Sequence, residues 1–186
     1  MDATIDTVRV AGTPNGPMPV VLLSVEGDDD GGVVPIFIGF EEATSIARGI
    51  DAVDIGRPLT HDLLLDVVEV LGGRVERVVV SDVREGTYIA DLHVATPRGA
   101  EVVDARPSDS LALAARTDVP IELAASVFEA SREDRDRFAE LPEIREVLEG
   151  DAAPGEIGEA AEPDDPDADP DSGPPSPGPG GGDEGE

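Results

Sequence analysis

The 186-residue chain has no cysteine, no lysine, no tryptophan and a single tyrosine. Without cysteine there is no disulfide framework, no thiol nucleophile and no Cys-held zinc or iron–sulfur centre. Without lysine there is no Schiff base, no ammonium general base and no Walker-type phosphate loop, and all 13 basic residues are arginine. HExxH and GxSxG are absent as well, so neither a zinc-helix protease nor a nucleophile-elbow hydrolase is encoded. One Tyr and four Phe leave few rings on which bases could stack. No apolar run approaches the roughly 18 residues that a membrane-spanning helix needs. Residues 1–10 carry two acids where a secretory signal would carry a basic start. The expectation is a cytoplasmic protein that does not enter a membrane.

Acid is what the chain has in excess: 42 Asp and Glu give a net charge of -29. Affinity for a phosphate backbone comes largely from Lys and Arg releasing counterions, so such a charge reads first as repelling nucleic acid. The acids, however, are spread along the whole chain. Twelve lie from position 150 onward and 30 before it, against 13 Arg. Uniform acidity without lysine suits a protein that stays hydrated in molar salt, which points to a halophilic archaeon as the source. There the Debye length is about 3 Å, and a local site can hold an anion on an anionic protein.

Composition divides the chain near position 150. Residues 150–186 are built from Asp, Glu, Pro, Gly, Ala and Ser, with Ile157 as the one large apolar residue, and read as a disordered acidic tail. Residues 1–149 read as one α+β domain with a mostly antiparallel sheet and three to five helices. Strands are expected at 3–11, 19–26 and 33–38, and a helix at 40–50 on the stripe Phe40, Ala43, Ile46, Ala47 and Ile50. A second helix starts at Thr60, read as its N-cap, with Leu64, Val67, Val68 and Leu71 at helical spacing and Gly72 ending it. An antiparallel meander follows at 74–83, 87–96 and 100–106. Pro107 opens a third helix to 116; a short strand (120–123), a helical turn (124–129) and a charged helical stretch (131–149), broken or restarted at Pro142 and with Phe138, Leu141, Ile144 and Leu148 as its apolar stripe, complete the domain.

Three polar clusters sit at element boundaries: Gly39 with Glu41 and Glu42; Arg57 with Thr60, His61 and Asp62; and Asp104 with Arg106, Ser108, Asp109 and Ser110. In the third, a guanidinium and first-turn amides could hold a phosphate, and Asp104 and Asp109 a divalent metal. The plainer account pairs Asp104 with Arg106 and lets Asp109 cap its own helix. His61 and Asp62 offer a general acid or base beside an orienting carboxylate, or else a solvated histidine beside an acid that favours the helix dipole. Asp91 and His93 share one strand face, which is metal-compatible, but the favoured reading is a solvated or dimer-facing sheet surface.

The stretches PIFIGFEEA (35–43), RPLTHDLL (57–64) and DARPSDSLALA (104–114) resemble the bifunctional nuclease family, over about residues 3–128. The resemblance implies a compact α+β domain that forms homodimers and cleaves both RNA and DNA. It carries over to Glu42, Arg57, Thr60, His61, Asp62, Asp104, Arg106, Ser108 and Asp109. Within that set the expected roles are Asp62, Asp104 and Asp109 for a metal (Mg or Mn) or water, and Arg106 for phosphate. His61 would move protons, and Arg57 and Ser108 would contact substrate. No organic cofactor is expected. The competing reading is a non-enzymatic dimeric binding or regulatory module whose polar residues cap helices.

Overall fold

Period-two apolar patterning over the first 37 residues resolves into three antiparallel strands, β1 (Asp2–Thr13), β2 (Gly16–Val25) and β3 (Gly32–Phe37). The computed structural model describes residues 1–28, 30–52 and 56–150, so the acidic segment read as a tail lies outside the described residues. The expected meander forms as β4 (Arg74–Arg84), β5 (Thr87–Thr96) and β6 (Gly99–Ala105). Its first turn, Glu85-Gly86, has φ of 50° and 72°, the doubly positive turn whose twist suits a tight hairpin.

A three-residue strand joins the two trios. β7 (Ile121–Leu123) runs antiparallel to β1 and parallel to β4, and β8 (Glu133–Asp134) adds to the far edge beside β3. The result is one eight-stranded sheet among the described residues, in the order β6-β5-β4-β7-β1-β2-β3-β8.

β2 is apolar at every position from Val20 to Leu23 because it is covered on both faces. Val21, Leu23 and Val25 join the main core with α1 (Phe40–Ile50) and α3 (Pro107–Thr117). Val20 and Leu22 meet Phe138 and Leu141 in a smaller core on the other side. The segment 131–149, read as helical with a break or restart at Pro142, does restart as helix after that proline, but between 132 and Pro142 it holds no α-helix. After α4 (Ala125–Ser131) come β8, a 3-10 turn (Arg135–Phe138) and only then α5 (Ile144–Glu149). Its apolar residues cover the sheet, and Val10 N donates to Pro142 O at 2.9 Å while Arg9 donates to the Ala139 and Leu141 carbonyls. The spacing of Phe138, Leu141, Ile144 and Leu148 suggested a helix through this stretch; ahead of Pro142 the bonds to β1 outweigh that local preference.

α1 buries the middle of its expected stripe, Ala43, Ile46 and Ala47, and leaves Phe40 and Ile50 exposed at its ends, while α3 buries seven residues from Pro107 to Ala114. α2 (Thr60–Val70) forms where expected, but none of its residues is buried. Leu64, Val67 and Leu71 face outward, and only Leu65 and Val68 lean on the core.

Candidate active site

The N-terminal halves of α1, α2 and α3 meet over one cleft of about 440 Å³, lined by Glu42, Ser45, Thr60, His61, Arg106 and Asp109 among others. Each helix brings an acid in its first turn: Glu42, Asp62 and Asp109. Those acids lie where unsatisfied amides and the dipole favour negative charge. The positions read from sequence as dipole complements thus become neighbours in space.

A continuous chain of side-chain bonds runs across the cleft. Arg106, with 65% of its side chain exposed, donates from Nη1 to Glu42 Oε1 at 3.0 Å. It also donates from Nε to Asp109 Oδ2 at 2.8 Å and from Nη2 to Asp109 Oδ1 at 3.1 Å, a bidentate grip. Asp109 Oδ1 lies 3.3 Å from His61 Nε2, and His61 Nδ1 lies 2.9 Å from Ser45 Oγ. An ionised Asp109 only accepts, which assigns the ring proton to Nε2 and leaves Nδ1 to accept from the Ser45 hydroxyl. Ser45 Oγ in turn accepts from Arg116 Nη2 at 3.2 Å.

Arg116 anchors the other end of the chain with only 9% of its side chain exposed. It donates to Asp62 Oδ1 (2.5 Å), Ser45 O (2.9 Å) and Ala112 O (2.8 Å). The opposite oxygen of Asp62 accepts from Leu59 N at 2.9 Å. Leu59, not Thr60, is therefore the N-cap residue of α2, and Asp62 satisfies an amide that helix formation leaves bare. Neither Ser45 nor Arg116 was singled out in the sequence. Ser45 lies one turn on from Glu42 along the polar side of α1, and this i,i+3 spacing was the available signal. Arg116, at the end of an otherwise apolar helix, had no local signal.

Charge is held firmly here. Burial opposes ionisation of Asp109, yet hydrogen bonds from Arg106 and His61 keep its carboxyl below the usual 3.8. Burial opposes ionisation of Asp62 too, and the Arg116 bond with the Leu59 amide outweighs it. The Asp109 bond raises Arg106 above its already high value, so that side chain is a permanent cation.

Other expected site residues lie apart from this chain. Asp104 is exposed on the edge strand β6, opposite Asp91, and makes no ion pair with Arg106. Arg57 is exposed ahead of α2 and has no ion pair among the described residues. Ser108 is 6% exposed and lines a second cleft that shares Glu42 and Arg106 with the first. Asp109 occupies the third helical position but spends its carboxylate on Arg106 and His61 instead of capping. Asp62, Asp104 and Asp109 do not converge, and among the described residues no three His, Asp or Glu side chains are arranged to hold a metal.

The domain is thus an α+β fold that carries an Arg-carboxylate-His chain at three helix starts. Its family follows from comparison: the profile of the bifunctional nuclease domain matches residues 20–136, and the chain belongs to that family. Two uncharacterised proteins of Mycobacterium tuberculosis, from different strains, are each 42% identical over 120 residues, covering 64% of this chain and 69% of theirs. The rice (Oryza sativa subsp. japonica) protein named bifunctional nuclease 2 is 26% identical over 116 residues, covering 61% of this chain and 35% of its own length. No helix among the described residues is long and apolar enough to cross a membrane.

Proposed function

We propose that the protein is a nuclease that hydrolyses phosphodiester bonds of RNA and DNA at the Arg106–Asp109–His61 cleft. The observation that carries this reading is the bonded chain from Glu42 to Ser45 in a domain of the bifunctional nuclease family. Phosphodiester hydrolysis needs the phosphate charge offset, a water activated and the reacting groups held in place. Arg106 is the exposed cation of the chain, and its fork is held by carboxylates on two sides. A phosphate oxygen approaching its open edge meets a donor already oriented. His61 keeps Nε2 on Asp109, so Nδ1 is its basic nitrogen, reached through or in place of the Ser45 hydroxyl. A water there can pass its proton to Nδ1 and attack phosphorus while the P–O bond to one sugar oxygen breaks, and that departing oxygen takes the proton back from Nδ1. Because the nucleophile is water and no 2′-hydroxyl takes part, one site serves RNA and DNA alike.

No step in this scheme runs through a metal: Glu42 and Asp109 are bonded to Arg106, and Asp62 to Arg116. Metal dependence belongs to the assay. Labelled single-stranded RNA and duplex DNA are incubated in molar KCl with magnesium, manganese or chelator, beside Asp109→Asn and Arg106→Ala. Both variants are expected to lose at least about 100-fold in rate while staying folded. Wild-type rates in either folded variant would overturn the assignment.

A homodimer is part of the same reading. α2 carries apolar residues on its outer side, with Leu63, Leu64, Val67 and Val70 exposed and Leu71 at its C-cap 71% exposed, and an apolar patch of that kind marks an interaction surface. The second copy of the chain covers that face, with the exposed Val102 and Val103 of edge strand β6 as further apolar surface.

One observation favours the competing, non-enzymatic module: both nitrogens of His61 and both oxygens of Asp109 already have partners, as in a cluster that only ties helices together. Absence of cleavage in molar salt by the folded chain selects that reading.

A further inference from the structure

A second cleft, of about 330 Å³, opens on the other side of Arg106. The end of β3, the Glu85-Gly86 turn and the start of α3 form its walls, and Glu42 and Arg106 line both clefts. Its surface combines the apolar or aromatic Ile38, Tyr88 and Pro107 with the polar side chains of Glu42, Thr87, Arg106 and Ser108. Ser108 is one of them. It is 6% exposed, lines the cleft, and its hydroxyl has no partner among the described residues. Tyr88 is held in place because its hydroxyl donates to Pro35 O at 3.1 Å.

A cleft with an aromatic wall and a few convergent polar groups suits a ring-bearing ligand better than a bare anion. A cavity of about 150 Å³ accepts benzene, so this volume holds a nucleobase with part of its sugar. Gripping by a ring also answers the charge problem. A chain with net charge -29 and no lysine gains little from extra phosphate contacts. A base contact against an aromatic wall is indifferent to that charge.

We propose that this second cleft seats the nucleoside adjoining the phosphate at Arg106, so that the strand is held by one phosphodiester and one base. The base lies against Tyr88, and Ser108 offers its hydroxyl to a base or sugar heteroatom. The proposal rests on the nuclease reading for its substrate, but the site itself is testable without cleavage.

Tyr88 is the chain's one tyrosine and there is no tryptophan, so its ring resonances report on this cleft alone. The full wild-type chain in molar KCl is titrated with adenosine 5′-monophosphate and, separately, with inorganic phosphate, while NMR follows the Tyr88 ring and the Arg106 Nε–H. The nucleotide should move both and phosphate only Arg106, and the nucleotide should bind about 10-fold or more tighter than phosphate. A Tyr88 ring that the nucleotide leaves unmoved overturns the site. So does a ring that phosphate moves as far as the nucleotide does, because the response then belongs to the anion. If the first pattern holds in a chain that cuts nothing, the nucleoside site stands and the nuclease reading falls.

Discussion

Asp109 and Arg116 occupy opposite ends of one hydrogen-bonded chain, and their losses should read differently. Asp109 is partly open to the cleft, so Asp109→Asn keeps the shape and removes the charge that orients His61 and Arg106. Arg116 is nearly enclosed and satisfies two backbone carbonyls, a hydroxyl and Asp62. Arg116→Met should cost about 2–3 kcal/mol, because the groups it leaves behind have no replacement partners. Urea unfolding midpoints measure that cost, and a loss below about 0.5 kcal/mol would show that water substitutes for the guanidinium. The same residues set the acid limit. Asp62 and Asp109 have folded values below 3.8, so their stabilising contribution is complete above about pH 4 and is lost as pH falls through those lowered values. Stability followed from pH 5 to pH 2 should fall, and it should fall less steeply in Asp109→Asn; an unchanged slope would remove Asp109 from the account.

Between elements, the approach of α1 to α3 decides whether Ser45 and Arg116 meet. Gly49 sits at that approach: a Cβ there would lie 3.0 Å from Ala115 Cβ and 3.0 Å from Arg116 Nη1. Gly49→Ala gains helix propensity but must push the helices apart, and we expect a net destabilisation of about 1–3 kcal/mol, seen in thermal unfolding. A more stable variant would mean that the gap closes by a small side-chain shift. α2 carries the opposite prediction, since its outer face touches nothing in the single chain. Val70→Asp should leave the monomer's stability within about 0.5 kcal/mol and convert a dimer to a monomer in size-exclusion chromatography. Equal elution volumes for both proteins would leave α2 without its partner. The strand and helix positions were legible because period-two and period-3.6 patterns are local. The facing of α2 was not, because periodicity marks an apolar stripe without saying what covers it.

For the molecule as a whole, the charge of -29 is a property of the surface, while the ion pairs are mostly short-range and partly exposed. Raising KCl from about 0.1 to about 1 M shortens the Debye length from about 10 to about 3 Å, so like-charge repulsion relaxes more than contact pairs weaken. The thermal midpoint should rise by several degrees over that range; a falling midpoint would show that the ion pairs matter more than the repulsion. Residues by themselves determined much of this protein: the hairpins and meander, two buried helical stripes, and clusters at helix starts that include Glu42, His61, Arg106 and Asp109. Each rests on spacing within a dozen residues. Tertiary structure alone decided the placing of β7 between β1 and β4, which joins two antiparallel trios through partners more than 40 positions away. It alone brought His61 to Asp109, 48 residues on, and Arg116 to Ser45, 71 residues back. Such contacts depend on how whole elements pack, and that packing is set by the shared core and not by any local pattern.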